Sequence, residues 1–534
     1  MVHQSPASFC LLLHGHLPFV RHPEMPECLE ENWFFEAVTE VYLPFLDVFR
    51  RLQSDGVRFN LGVSLSPTLT AMLNDPLLKS RYDFHLDNLL RLAESECRRT
   101  AGSPEFSGLA RMYLERFELC KEIWGRVYRR DLIAAFRALK ESGQVELLTT
   151  AATHGFLPLM EVCPQAMEAQ VKIGCQSFKE FFGTPPAGFW LPECGYVPAV
   201  EKVLLEAGVR YTLLEMHGLL YADPPALCGP YSPVKSPRGL VFLGRDPETA
   251  RQVWSRIEGY PGDPWYRDFY RDIAFDLDES YLKPFLYHGG FRTATGMKYY
   301  RITGPSGQKE PYEPAKAASR VKEHAAHFFS ERKRQANRLS GLMKKPPVVL
   351  AMYDAELFGH WWFEGPAWLE EVFRRFDQDR SVVEMLVPEA AVQRHPASQT
   401  VSPHLSTWGV NGYNEMWIQK ANASVTRDLH RVAWRMGELR ALYPDAHGVT
   451  ERALNHALRE MLLAQASDWP FILAEGTASG YASERVRRHV SRFNRLYDDL
   501  RHRRGIDENW LSCAEEQDNP FPFLDYRVYG ENGF

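Results

Sequence analysis

The feature that most constrains this chain is a repeated alternation. Short apolar runs end in polar or aromatic residues, and amphipathic helical patterns separate several of them. Phe9-Cys-Leu-Leu-Leu13 leads into His14-Gly-His16, and Gln144-Val-Glu-Leu-Leu148 leads into Thr149 to His154. Gly188-Phe-Trp-Leu191 leads into Glu193, and Arg210-Tyr-Thr-Leu-Leu214 leads into Glu215 and His217. Gly239-Leu-Val-Phe-Leu243 leads into Arg245 and Asp246, and Pro347-Val-Val-Leu-Ala351 leads into Asp354. Runs of this length read as buried strands. The segments 170–182 and 197–207 read as amphipathic helices, the second stopped by Gly208 at a C′ position. Strand–helix alternation implies a parallel sheet or barrel. Chemistry gathered at successive strand exits favours a barrel, whose active face is the C-terminal one.

At 534 residues the chain exceeds one simple core, so two or three domains are expected. We expect an α/β catalytic barrel over 1–400, a helical insertion within it over 75–139, and an all-helical C-terminal domain over 403–534. The charged helical stretch 315–339 reads as a solvated face. A net charge of −6 gives no support to a nucleic-acid partner. No stretch is long enough to span a membrane, and residues 9–13 are too short for a signal segment. Nine cysteines without CxxC spacing argue against a disulfide framework or structural zinc, so a reducing cytoplasm is expected. The 13 Trp, 23 Tyr and 32 Phe suit both cores and sugar-stacking surfaces.

Two acidic strand exits carry the candidate chemistry. Glu193 follows Trp-Leu-Pro, and Asp354 follows the run from Val348 to Tyr353, with Glu356 competing for its place. Paired carboxylates suit glycoside hydrolysis or transglycosylation, one attacking the anomeric carbon and the other handling the proton. His14 and His16 stand at i, i+2 on a strand exit. They can bind a metal from one face or hydrogen-bond sugar hydroxyls. A rival set of His14, His16, His154, Asp354 and His360 would suit a metal-dependent deacetylase or amidohydrolase, although its spacing matches no strong metal signature.

The ordered motifs His14-Gly-His-Leu-Pro18, Gly143-Gln-Val-Glu-Leu147 with His154, Trp190-Leu-Pro-Glu-Cys-Gly-Tyr196 and Tyr353-Asp-Ala-Glu-Leu-Phe-Gly-His-Trp-Trp-Phe-Glu-Gly365 resemble those of glycoside hydrolase family 57. With Thr407-Trp-Gly-Val-Asn-Gly-Tyr-Asn-Glu-Met-Trp417 and Ser467-Asp-Trp-Pro-Phe471, they look most like its 1,4-α-glucan branching enzymes. The resemblance runs from about residue 9 to about residue 480. It implies a (β/α)7 barrel with a helical insertion and a C-terminal helical domain over the cleft. It also implies a retaining mechanism without metal or cofactor, with α-glucan as partner. It places Glu193 as nucleophile and Asp354 as general acid/base. Sugar hydrogen bonding is implied for His14, His16 and His154. Substrate contacts are implied for Arg245, Trp254, Gly262, Trp408, Trp417 and Asp468. One departure stands out. The family's branching enzymes carry a long mobile loop tipped by a tyrosine, and here the corresponding stretch, 221–238, is short, with Tyr231 as the lid-loop tyrosine. A truncated lid admits water and favours α-amylase-like hydrolysis over transfer. A glucan-binding protein with a dead site is the non-enzymatic alternative.

Overall fold

The computed structural model describes residues 6–255, 258–285, 292–304 and 307–530. Strand β1 (Ala7–Gly15) is buried along its whole length, as befits a strand covered on both faces. It pairs in parallel with β2 (Leu61–Leu65) and with β8 (Val348–Asp354), and β2 pairs with β3 (Val145–Leu148). A second parallel set runs β4 (Gly188–Phe189), β5 (Tyr211–Leu214), β7 (Val241–Gly244). Two parallel bridges join the sets: Thr149 to Phe189 just beyond β3, and Arg245 to Leu350 just beyond β7. The circuit β1-β2-β3-β4-β5-β7-β8 therefore returns to β1 as a ring of seven parallel strands. Two short strands lie outside this ring. The strand β6 (Val234–Lys235) is antiparallel to β7, and β9 (Val383–Met385) lies beside the start of β1.

The two-residue period of a strand decides what enters the barrel. Cys10 and Leu12 of β1, Leu350 and Met352 of β8, Leu213 and Leu243 share one buried interior cluster. Phe9, Leu11, Leu13, Val349, Ala351 and Tyr353 belong to a different cluster, packed against the surrounding helices. Continuing the inward series one step puts His14, Asp354, Glu215 and Arg245 on the rim at the strands' C-terminal end. The register agrees, since His14 and Asp354 are paired neighbours. Gly62 keeps the interior closed, because a Cβ there would lie 2.7 Å from Leu12.

Helices Pro76–Arg99, Ser107–Lys121 and Leu132–Glu141 fill the chain between β2 and β3. Helix Pro164–Phe182 ends at Gly183, and the helix over 199–206 is followed by Gly208, both in the left-handed region that glycine adopts at little cost. The helix Pro314–Leu342 departs from the expected solvated face. Val321, Ala325, Phe328, Arg332 and Gln335 form a buried stripe along it, and Arg332 and Gln335 reach Asp246 at the barrel rim. Beyond the barrel, helices Ala423–Leu442, Val449–Ala464, Asp468–Glu475, Ser479–Arg501 and Glu508–Gln517 pack on one another and on helix Pro164–Phe182. No helix among the described residues is long and apolar enough to cross a membrane.

Candidate active site

Glu193 sits on a tight turn after β4 that Pro192 opens and Gly195 closes. Glu193 and Cys194 both hold left-handed backbone, at φ 58° and 52°. Each such residue costs on the order of 1–3 kcal/mol, strain that survives where surrounding contacts impose it. Those contacts come from the C-terminal segment. The Trp408 indole donates to Oε2 at 2.9 Å, the Ser467 hydroxyl donates to Oε1 at 2.9 Å, and the Trp408 amide donates to the Glu193 carbonyl at 3.1 Å. Burial raises the Glu193 pKa. The Trp408 bond opposes it, Asp468 adds to it, and the Ser467 bond and His16 lower it, leaving a net rise.

Asp354 closes β8, and no hydrogen bond reaches its carboxylate among the described residues. Its pKa stands well above the ordinary value. Burial is the largest cause, followed by the charges of Glu356 and Glu193, with Arg245 opposing. Glu356 is engaged elsewhere. Its Oε1 accepts the His16 amide at 3.2 Å and the Tyr42 hydroxyl. Glu356 is thus bonded on its carboxylate and Asp354 is not, and the proximity of Glu356 favours the protonated form of Asp354. Tyr42 lies in a π-helical turn (Val38–Tyr42), and Glu40 of that turn bonds His360 Nδ1 at 2.6 Å. A single widened turn thus grips the loop after Asp354 at two points, a placement common at functional sites.

Three histidines line the rim. His14 stacks on Trp190 with centroids 4.7 Å apart, and the His16 and His154 rings stack at 3.9 Å. His14 Nδ1 lies 3.1 Å from Ser64 Oγ, and its Nε2 lies 3.0 Å from His154 Nε2. His154 Nδ1 lies 2.8 Å from Ser467 Oγ. Every ring nitrogen of His14 and His154 is thus occupied within the protein, which corrects the expectation that both bind sugar hydroxyls. His16 differs. Its Nε2 meets Asp468 Oδ2 at 3.1 Å, and its Nδ1 is buried without a partner. Burial lowers the pKa of all three. It falls far below the usual value in His14 and His154, whereas Asp468, Glu193 and Glu356 reverse the effect in His16 and raise it.

The other expected contacts divide. Arg245 pairs with Glu215 at 3.1 Å, leaves its Nε buried and unpartnered, and lies over the Trp408 ring at 5.5 Å. Trp254, at the end of the helix Pro247–Trp254 and 45% exposed, stacks on Trp408 at 6.3 Å. These three join the carboxylate cluster through Trp408. Trp417 does not. It is 1% exposed and stacked on Phe156 at 4.3 Å, so it packs an interface and offers no open face to a sugar. Gly262 lies in an exposed turn whose amide bonds Gly259, beside Tyr260 packed on His324, and no contact among the described residues links it to the carboxylates. Tyr231 is not a lid tip, because its hydroxyl donates to buried Asp246 at 3.1 Å. The segment 221–238 is short and tied down as well, through bridges from Asp223 to Ser402 and from Lys235 to Thr400.

The rival metal set does not assemble, because His14 and His154 are fully engaged and His360 turns to Glu40. Among the described residues, one donor group has metal-like spacing: buried Glu460, His489 and Asp518. Arg492 bonds both of its carboxylates, so a guanidinium already supplies the positive charge there. Sequence reasoning missed Ser467, Tyr42 and Ser64, and placed Glu215 at a strand exit without giving it a role. Ser467 had a usable signal, since it adjoins Asp468 in the same motif. Tyr42 had none, lying 314 residues from its partner.

Residues 10–404 match glycosyl hydrolase family 57, and residues 428–529 match the C-terminal domain of 1,4-alpha-glucan branching enzymes. The 1,4-alpha-glucan branching enzyme TK1436 of Thermococcus kodakarensis is 32% identical over 96% of this chain and 76% of its own. The alpha-amylase AmyC of Thermotoga maritima superposes with a TM-score of 0.91 at 38% identity, covering 98% of this chain and 99% of its own. The branching enzyme of Pyrococcus horikoshii superposes with a TM-score of 0.88 at 30% identity, covering 98% and 96%. Seven parallel strands, two rim carboxylates and these matches together place the chain in glycoside hydrolase family 57.

Proposed function

We propose that the protein is a 1,4-α-glucan branching enzyme acting by double displacement. The observation that carries the reading is the asymmetry of the two rim carboxylates. Glu193 is held by two donors that favour its ionised form, whereas Asp354 is unbonded and held protonated by burial and like charge. Such a pair supplies a nucleophile and an acid from identical chemistry. Asp354 gives its proton to the glycosidic oxygen as Glu193 attacks C1 of the donor. The leaving chain departs as an alcohol, and C1 becomes an ester of Glu193. Asp354, now a carboxylate, takes the proton of an acceptor 6-hydroxyl. That oxygen attacks C1, the ester bond breaks, and an α-1,6 branch forms with both carboxyl groups restored.

Trp254 and Trp408 offer stacked indole faces to pyranose rings. Arg245 Nε and His16 Nδ1, buried without protein partners, are suited to sugar hydroxyls. Asp468 orients His16. The substrate class and the absence of paired cysteine spacing fit a cytoplasmic enzyme of glycogen metabolism. The anchored 221–238 segment supports a second reading, α-amylase-like hydrolysis, because water reaches an ester without a mobile cover more easily. Incubation with amylose separates the readings. New α-1,6 anomeric protons by NMR mean branching, and reducing ends alone mean hydrolysis. Glu193→Gln and Asp354→Asn should each lower turnover at least ~100-fold, and near wild-type turnover in either removes that residue from its role.

A further inference from the structure

The contacts behind Glu193 form an unbroken series: Ser64 Oγ, 3.1 Å, His14 Nδ1; His14 Nε2, 3.0 Å, His154 Nε2; His154 Nδ1, 2.8 Å, Ser467 Oγ; Ser467 Oγ, 2.9 Å, Glu193 Oε1. With Glu193 ionised and both imidazoles neutral, hydrogen-bond valence sets the direction of every link. An ionised Glu193 only accepts, so Ser467 spends its one proton on Oε1. His154 Nδ1 must then donate to Ser467. A neutral imidazole protonated at Nδ1 has a bare Nε2. Two N–H groups cannot face each other at 3.0 Å, so the single proton in that gap belongs to His14 Nε2. His14 is then bare at Nδ1 and accepts from Ser64.

From this series we infer that Ser64, His14, His154 and Ser467 form a proton-ordered chain that orients Glu193 Oε1 and keeps it ionised. His14 and His154 are positioning residues in opposite neutral tautomers. The inference rests on Glu193 being the nucleophile of the proposed reaction. Its physical logic is that a serine hydroxyl alone rotates freely, whereas one that must accept from His154 can aim its proton only at Glu193. Burial supports the neutrality of both rings, which lose their protonated form far below the usual histidine range. The left-handed His154 backbone, at φ 56°, is imposed by the same assembly, because Ser467 also donates its amide to the His154 carbonyl at 3.1 Å. The titratable and charged groups around this chain are His16 beyond β1, Asp468 at the start of its helix, Asp354 at the end of β8, Glu356 just after it, and Arg245 beyond β7. His16 with Asp468 is the one histidine here built to carry charge.

The test begins on the unaltered protein labelled with 15N-histidine. Two-bond 1H–15N spectra should show His154 as the Nδ1–H tautomer and His14 as the Nε2–H tautomer, both unchanged from pH 5 to 8. An imidazolium at His154, or an Nε2–H tautomer there, overturns the inference even if the enzyme branches glucan normally. Conversely, the expected tautomers with no activity on amylose leave the chain standing and remove the proposed function. Kinetics supply the second arm. Ser467→Ala removes a bond that favours the carboxylate, so the acidic limb of kcat/KM should rise by about one pH unit. Ser467→Thr, which keeps the hydroxyl, should return it. A limb that stays put in folded Ser467→Ala protein overturns the tuning role.

Discussion

Glu356→Gln is the substitution that best isolates how this site divides labour between its carboxylates. Glutamine keeps an oxygen for the Tyr42 hydroxyl and the His16 amide, so the loop stays held while the charge disappears. After burial, the Glu356 charge is the largest cause holding the Asp354 pKa high. Unit charges on the order of 6 Å apart at an effective dielectric of ~20 interact by about 3 kcal/mol, roughly two pH units. Relaxation and solvent reduce this, so a shift of about 1–2 units is expected.

The sign follows from the role proposed for Asp354. The acid must be protonated in the first step, and a neighbouring negative charge favours the protonated form. Removing that charge lets Asp354 ionise earlier, so the alkaline limb of kcat/KM should move to lower pH. The acidic limb, set by Glu193, should move little. Arg245→Gln supplies the opposite sign, because Arg245 lowers the Asp354 pKa and its removal should carry the alkaline limb upward. The assay is initial-rate release or transfer from a soluble maltooligosaccharide across pH 4–10 at constant ionic strength. An alkaline limb that stays fixed or rises in Glu356→Gln refutes the assignment of Asp354 as an acid tuned by its neighbour.

Other outcomes follow from single contacts. Trp408→Phe removes the indole donor to Glu193 Oε2 at 2.9 Å, and the acidic limb of kcat/KM should rise by about one pH unit, because that bond favours the carboxylate. Tyr231→Phe breaks the bond to Asp246 and should leave the ratio of transfer to hydrolysis unchanged within about twofold, as measured by paired linkage and reducing-end assays, because an anchored tyrosine does not gate water. Gly174→Ala puts a Cβ 2.3 Å from the Thr150 carbonyl beside the rim, and differential scanning calorimetry should show the melting temperature lowered by about 1–4 °C.

What the sequence made legible was local. The runs ending at His14 and Asp354 are long, wholly buried and strand-like, and their chemistry falls on the next inward position of the same period. The strand β4 shrinks to two residues because Pro192 opens a 3-10 turn right after the run. The strand β2 was not read at all, since Gly62 and Ser64 dilute its apolar character for reasons visible only from inside the barrel: one fits against Leu12, and the other serves His14. Closure of the ring rests on two single bridges that no local pattern encodes. Aromatic residues were the weakest guide. An indole suits a core and a sugar face equally, and Trp417 and Trp254 fell on opposite sides of that choice.

The position of the donors to Glu193 bears on why a hydrolase-like pair can favour transfer. The barrel supplies the strained turn, but both side-chain bonds to its carboxylate come from beyond residue 400, through Trp408 and Ser467. A barrel without that segment would expose a carboxyl group on left-handed backbone with nothing to hold its orientation. Packing the helical domain against the rim therefore does two things at once. It bonds both oxygens of the Glu193 carboxylate, and it brings Trp408 and Ser467, just ahead of the helix Asp468–Glu475, against that group. If the proposed transfer reaction holds, water exclusion must come from domain packing and not from a mobile loop, because the 221–238 segment is tied to residues 399–402 of the chain leading into that domain. Substitutions that loosen the interface, such as Ser467→Ala or Trp408→Phe, should then shift products toward reducing ends as well as shift the acidic limb. A change in pH profile with an unaltered branching ratio would separate the two effects and assign water exclusion to another part of the cleft.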